Sequence, residues 1–357
     1  MSVTEYYIDV VSGTDMMGNG STTFPYATLS HALSTHGAVT NGVRYNIKGT
    51  TSGSPHTSTG SLPAASSTKP LYIAPYTTTA GDSAGPVYLS GGGSIIYDQN
   101  TRDNIHFINC HFSNCGDQAF NLDNFCNAIN CTFDGCGATA DARMRFFNCH
   151  FKNISGIPLN DANNHHWFYN TVEYSGDYNG YIMQGETFIG NRVKMSSGSV
   201  DAVMFQSYAN NNVAIGNSLY CTTGSYDDEG MRLATNSICQ HNYIEGATVG
   251  INKYGRGSLV ANNRFYNCST NVSTRSTSIE IQDSTTGTNN SSLSASGLPD
   301  IGSVDFTPST ELRDSTTLLT SDLPGLTTGM NQQFGGVLDV PSGGGGSTHT
   351  PRLRVIQ

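Results

Sequence analysis

The chain of 357 residues carries only 12% charged side chains, 17 Lys and Arg against 27 Asp and Glu, for a formal net charge of -10 at pH 7. That balance excludes nucleic acid and anionic membranes as main partners, since both repel an acidic chain. With so few charges the solvent-facing surface falls to Ser, Thr, Asn and Gly, and no segment approaches the apolar length that crosses a bilayer.

Residues 4–10 read as a strand, followed by a turn-rich loop from Gly13 to Thr22. A short helix is expected from about Pro25 to His36. Proline suits its first turn, Tyr26, Leu29 and Leu33 share one face, and Gly37 suits the stop. The first residues have no basic stretch followed by an apolar one, so no export signal is expected. Further strands are expected at about Val43–Lys48, Leu71–Ala74, Val87–Ser90 and Ile95–Tyr97, with the Thr/Ser/Gly-rich stretch 50–68 looping out between two of them.

From Ile105 to Ser269 one short pattern returns eight times, centred on Cys110, Cys131, Cys149, Asn170, Asn191, Asn217, Asn242 and Asn263. The separations are 21, 18, 21, 21, 26, 25 and 21 residues. Two residues after each centre stands a large apolar residue: Phe112, Phe133, Phe151, Val172, Val193, Leu219, Ile244 and Phe265. A period near twenty with alternating apolar positions marks a solenoid whose coils carry strands. One coil cannot bury its own apolar face, so coils stack and equivalent residues form rows spaced about 4.8 Å apart. Stacked Asn at a corner can satisfy buried main-chain groups of adjacent coils. A second row follows at Cys115, Cys136, Ile154 and Cys268, then a turn and another strand with expected inward pairs Ile157/Leu159, Tyr181/Met183 and Met231/Leu233.

These features resemble the right-handed parallel β-helix of the pectate-lyase-like superfamily, including phage tailspikes and other virion proteins. The carriers are the Asn ladder, the aliphatic stacks and the coil length, over about residues 105–285. The strand, loop and helix at the start resemble that family's N-terminal cap, which covers the apolar cross-section of the first coil. The expected fold class is therefore all-β, a right-handed parallel β-helix with an N-terminal cap (1–42), a helical body (43–285), an extended return segment (286–342) and a C-terminal arm (343–357) jointed by Gly343 to Gly346.

The nine cysteines are odd in number and most fall on inward repeat positions, so buried free thiols in a reducing compartment are expected. Cys110/Cys115 and Cys131/Cys136, near His111, His150, His165 and His166, raise a zinc reading. Stacking already explains the cysteines, and His111 and His150 alternate to the outer side, so no metal is expected.

Acidic residues cluster before the second strand of successive coils. Asp177, Asp201 and Asp227–Glu229 stand near Arg232, Lys253 and Arg256. The catalytic candidates are Asp201, Asp228, Glu229 and Arg232, although turns favour Asp for local bonding alone. A lyase would use the carboxylates to hold Ca²⁺ and a basic residue to remove a proton, the one setting in which a cofactor is expected. A hydrolase would set two carboxylates about 5–9 Å apart. An outward row of Asn160, Gln184, Gln206 and Tyr254 could bind a glycan by hydrogen bonds and stacking, though a solvated sheet face has the same composition. The arm ends in Arg352-Leu-Arg-Val355, whose alternation suits an extended segment that Arg352, Leu353, Arg354 and Val355 dock onto a partner as an added strand.

The resemblance, the hydroxyl-rich surface and the jointed arm together lead to the expectation of a non-enzymatic structural protein on a phage particle, capsid-decorating or tail-associated. It would be a homotrimer, folded in the host cytoplasm, whose partners are other virion proteins and a host polysaccharide. The alternatives are a polysaccharide lyase or glycoside hydrolase of tailspike type, and a carbohydrate-binding adhesin without catalysis.

Overall fold

The computed structural model describes residues 3–274 apart from 37–41, 58–61, 63–64, 66–68, 79–84, 94–96, 100–103, 116–118, 123–125, 137–143, 155–164, 176–180, 197–202, 208–209, 222–228 and 256, and further on 291–296, 333–334 and 337–338. Two sheets of eleven strands and one of five carry almost all of it. The first face runs from Thr4–Asp9 through Val43–Lys48 and Leu71–Pro75 to Leu259–Ala261. A second face runs from His56–Thr57 to Ser291–Ser292, and the third consists of Tyr181–Gly185, Val203–Ser207, Glu229–Leu233, Val249–Lys253 and Thr270–Thr274. Within these three sheets each strand pairs in parallel with its equivalent one coil away, as Cys126–Ile129 does with Met144–Phe147. The chain visits the faces in turn and starts again, which is a right-handed parallel β-helix.

The corner between the first and second faces shows why the repeat has its form. Each ladder residue follows a residue of positive φ: Asn109 (50°), Asn130 (55°), Asn148 (51°), Tyr169 (59°), Gly190 (65°), Gly216 (65°), His241 (56°) and Asn262 (56°). Asn and Gly tolerate that left-handed conformation, while Tyr169 and His241 hold it against their side chains. At the next corner Asn114, Gly135, Asn153 and Asn267 play the same part ahead of the second row.

At the first corner the ladder closes the main-chain bonding. Asn170 Oδ1 accepts from the Cys149 N–H at 2.8 Å, and Asn191 Oδ1 accepts from Asn170 N at 3.0 Å and Asn170 Nδ2 at 2.9 Å. Each Nδ2 also donates to a carbonyl of the preceding coil, as Asn191 does to Trp167 O at 3.0 Å. The cysteines keep the second of these bonds: Cys131 Sγ donates to Phe107 O at 3.5 Å and Cys149 Sγ to Ala128 O at 3.3 Å. A thiol can replace the amide here because one donor is needed, and burial raises the Cys110 and Cys149 thiols well above their ordinary range. Beside the ladder the large apolar row is fully buried, with Phe133 stacked on Phe112 at 5.0 Å and on Phe151 at 4.5 Å.

Two local expectations are corrected. The helix is shorter, Leu29–Thr35, because Tyr26 bridges to Ile8 and Thr28 is extended as the N-cap, its side chain accepting from His31 N. Asp15 fixes that cap by accepting from Ala27 N, Thr28 N and Thr28 Oγ1, which is the work of the aspartate in the early loop. Tyr181 faces outward, since the two consecutive residues Ile182 and Met183 both point into the core. Within the segment expected to be an extended return, Ser291–Ser292 adds the last strand of the second face, and Leu293 N donates to Phe265 O at 2.7 Å. Residues Ile157 and Leu159 lie outside the described residues.

Replacing Phe133 by Ala is expected to cost about 3–5 kcal/mol, because stacked coils cannot close the cavity. Replacing Asn191 by Ala is expected to cost about 1–3 kcal/mol through the main-chain donors it leaves unpaired. Chemical denaturation of the two variants checks this order, and the reverse order refutes the assigned roles. All nine cysteines are free in the structure and eight are buried. Thiol titration is therefore expected to find nine reactive groups in denaturant and few in the folded protein.

Candidate functional site

The third face owes its shape to residues that leave the simple alternation. In Glu229–Leu233 a Cβ on Gly230 would lie 2.5 Å from Gly250 O and 2.8 Å from Ile244 Cγ2, so the bare backbone presses onto the core there. Met231 follows it inward, fully buried. Glu229 and Arg232 therefore emerge on the same outer side, three residues apart. Equivalent positions on neighbouring strands make one continuous outer row: Gln184 pairs in register with Gln206, Gln206 with Arg232, Arg232 with Asn252 and Asn252 with Ser273. A second row joins Tyr181, Val203, Glu229, Val249 and Thr270.

Glu229 is the centre of the constellation and is only 3% exposed. Its Oε2 accepts from Arg232 Nε at 2.8 Å and its Oε1 from Asn252 Nδ2 at 2.7 Å. The guanidinium lies 4.7 Å from the Tyr254 ring centre and 5.5 Å from that of Tyr181, and its Nη1 donates to Tyr181 Oη at 3.3 Å. Burial alone would lower the Arg232 pKa, but the hydrogen bond and charge of Glu229, helped by both tyrosines, raise it above its ordinary value. Gln184 Nε2 reaches Gln206 Oε1 at 3.4 Å in the same row. Asn252 is 2% exposed, and its Oδ1 has no hydrogen-bond partner among the described residues.

Of the catalytic candidates, the structure brings Glu229 and Arg232 into direct contact. Asp201 and Asp228 lie outside the described residues, as do Asp177 and Arg256. Of the proposed glycan row, Gln184 and Gln206 are neighbours, Tyr254 reaches the site through the Arg232 guanidinium, and Asn160 is outside the described residues. The docking residues Arg352, Leu353, Arg354 and Val355 are outside them too. Asn252 and the outward Tyr181 were missed. Asn252 could have been found from its distance of two residues from Tyr254, but only on knowing that Asn252 and Arg232 occupy the same row.

Other polar constellations lie on the outer side of the second face. Asp134 accepts from Lys152 Nζ at 2.8 Å and Asn153 Nδ2 at 2.6 Å, with His111 Nε2 3.5 Å away. His150 pairs with Glu173. Glu245 accepts from Tyr243 Oη and, at 2.8 Å, from Ser296 Oγ, and burial raises its pKa. Among the described residues no group of three or more His, Cys, Asp or Glu side chains is placed to hold a metal ion.

No protein-family model and no curated protein matches the chain. Solved structures that resemble it include the GH136 lacto-N-biosidase of Eubacterium ramulus in two forms. The native protein gives a TM-score of 0.35 at 10% identity and the selenomethionine derivative 0.37 at 11%. Each match covers 81% of this chain, which spans 66% of the hydrolase, just under two thirds of its length. The expectation of a non-enzymatic phage-particle protein is corrected here: the structures matched are those of a glycoside hydrolase. The phage-type part of the family resemblance falls with it, whereas the parallel β-helix stands on the sheets themselves.

Proposed function

We propose that this protein is a glycan-acting enzyme, a glycoside hydrolase whose site lies on the outer side of the third face around Glu229. The single observation that carries the reading is a buried carboxylate on an outward row, with donors on both oxygens and two tyrosine rings beside its arginine partner. Donors on both oxygens fix the orientation of the carboxyl group, as a base or nucleophile requires. Tyr254, at 36% exposure, offers a ring on which a sugar can stack, and Gln206 offers an amide to its hydroxyls. Asn252 Oδ1, buried and without a partner among the described residues, adds an acceptor beside the carboxylate.

Hydrolysis needs a second carboxyl group to protonate the leaving oxygen. The sequence supplies Asp228 next to Glu229, and Asp201 two residues before Val203, the register partner of Glu229. In this reading one of them is the acid and Glu229 acts on the anomeric carbon or on water.

The test is to incubate the purified protein with a panel of neutral and acidic oligo- and polysaccharides and measure new reducing ends. Cleavage of at least one glycan is expected. Glu229→Gln should lower the rate about 10²–10⁴-fold, and either Asp228→Asn or Asp201→Asn should do the same. Unchanged cleavage by Glu229→Gln refutes the site. Glycan binding without cleavage by the wild type refutes the hydrolase and favours the binding protein.

A further inference from the structure

The outer side of the first face differs from the other two. One of its outward rows, continuous in register, reads Ile108, Ile129, Phe147, Phe168, Ile189 and Ile215. Every one of these side chains is only half-buried, and Phe147 stacks on Phe168 with ring centres 4.7 Å apart. The adjacent outward row begins at Tyr72, passes through His106, Asn127, Arg145, His166 and Thr187, and ends in Val213, Ile238 and Leu259, the last two 39% and 49% exposed. Neither row contains a single Asp or Glu from Leu71–Pro75 to Leu259–Ala261, in a chain that has 27. The outer rows of the second face hold Asp134, Glu173 and Glu245, and those of the third hold Glu229.

A row of six large apolar side chains on the solvent side is what a contact surface requires and a solvated sheet does not. Charge selects the occupant. Two copies of a chain with net charge -10 repel each other over most of their surfaces, and the first face is the one by which they can approach without setting carboxylates against carboxylates. We propose that two copies of this chain pair through the outer side of the first face, apolar row against apolar row.

Symmetry then favours two copies over three. A two-fold axis through the face brings each row onto its own equivalent, and the single apolar face is used completely. A closed trimer would ask each rod for two different contact surfaces, and the remaining faces carry the acidic rows. Nine strands at about 4.8 Å and a width of about 10 Å give a flat contact of about 400 Å² per copy, or about 800 Å² in all, below the range of stable pairs and in that of weak, transient ones. The dimer should therefore dissociate in the range of about 1–100 µM.

Sedimentation equilibrium of the full chain over about 1–200 µM tests this. The expected result is a rise from 38.0 kDa toward twice that mass. Phe168→Lys and Ile215→Lys, both at half-exposed outer positions, should hold the protein at the single-copy mass with an unchanged melting temperature, while Lys194→Glu on the second face should leave pairing intact. Hydrogen exchange on the unaltered protein at low and high concentration needs no variant and should show slowing confined to first-face strands. A constant 38.0 kDa, a three-copy mass, pairing that survives both lysine substitutions in folded protein, or slowing on another face would each overturn the proposal.

Discussion

Everything in this molecule depends on the registry of one coil upon the next. A single coil of about twenty residues has no interior, so its apolar side chains are buried only when the neighbouring coils hold the same positions above and below. The Asn ladder enforces that registry at the first corner. From Asn191 to Asn263 each amide oxygen accepts from both the main chain and the side chain of the preceding Asn, at 2.9–3.0 Å for the main-chain donors. A slip of one residue would break all of these bonds at once and turn the apolar rows outward. Where the ladder changes to Cys149, Cys131 and Cys110, the thiols retain the bond to the preceding coil, and the aromatic stack of Phe112, Phe133 and Phe151 runs beside them.

The same registry organises the surface. Residues about twenty positions apart in the chain become neighbours at strand spacing, so a row acquires a chemical character that no local segment has. On the third face this gives Gln184, Gln206, Arg232 and Asn252 as one polar row with Glu229 beside it. On the first face it gives an apolar row without carboxylates. In the proposed reading one face takes a ligand and another a second copy, and neither face interrupts the core.

Burial of Glu229 and Asn252 needs a reason other than stability. A buried ion pair seldom stabilises a fold more than apolar side chains of the same volume would. Here the rings on the guanidinium favour its charge, while the buried Asn252 Oδ1, without a partner among the described residues, raises the energetic cost of the site.

The sequence by itself determined the coil length, the corner ladder, the fully buried rows from Phe112 to Phe265 and hence the fold class, because these follow from a period that any stacked arrangement must obey. It also placed Glu229, Arg232, Gln184, Gln206 and Tyr254 among the residues of interest. Only the tertiary structure decided how they relate. Tyr181 was expected to point inward by strict alternation, but the strand turns two consecutive side chains, Ile182 and Met183, into the core and so sends Tyr181 out to Arg232. The extent of the helix likewise rested on Asp15 and its bonds to Ala27 and Thr28, a contact across twelve and thirteen residues that local propensity does not contain. Periodicity fixes which residues recur, whereas the departure of single strands from the period, which sets the chemistry of a face, depends on what the core beneath each strand has room to accept.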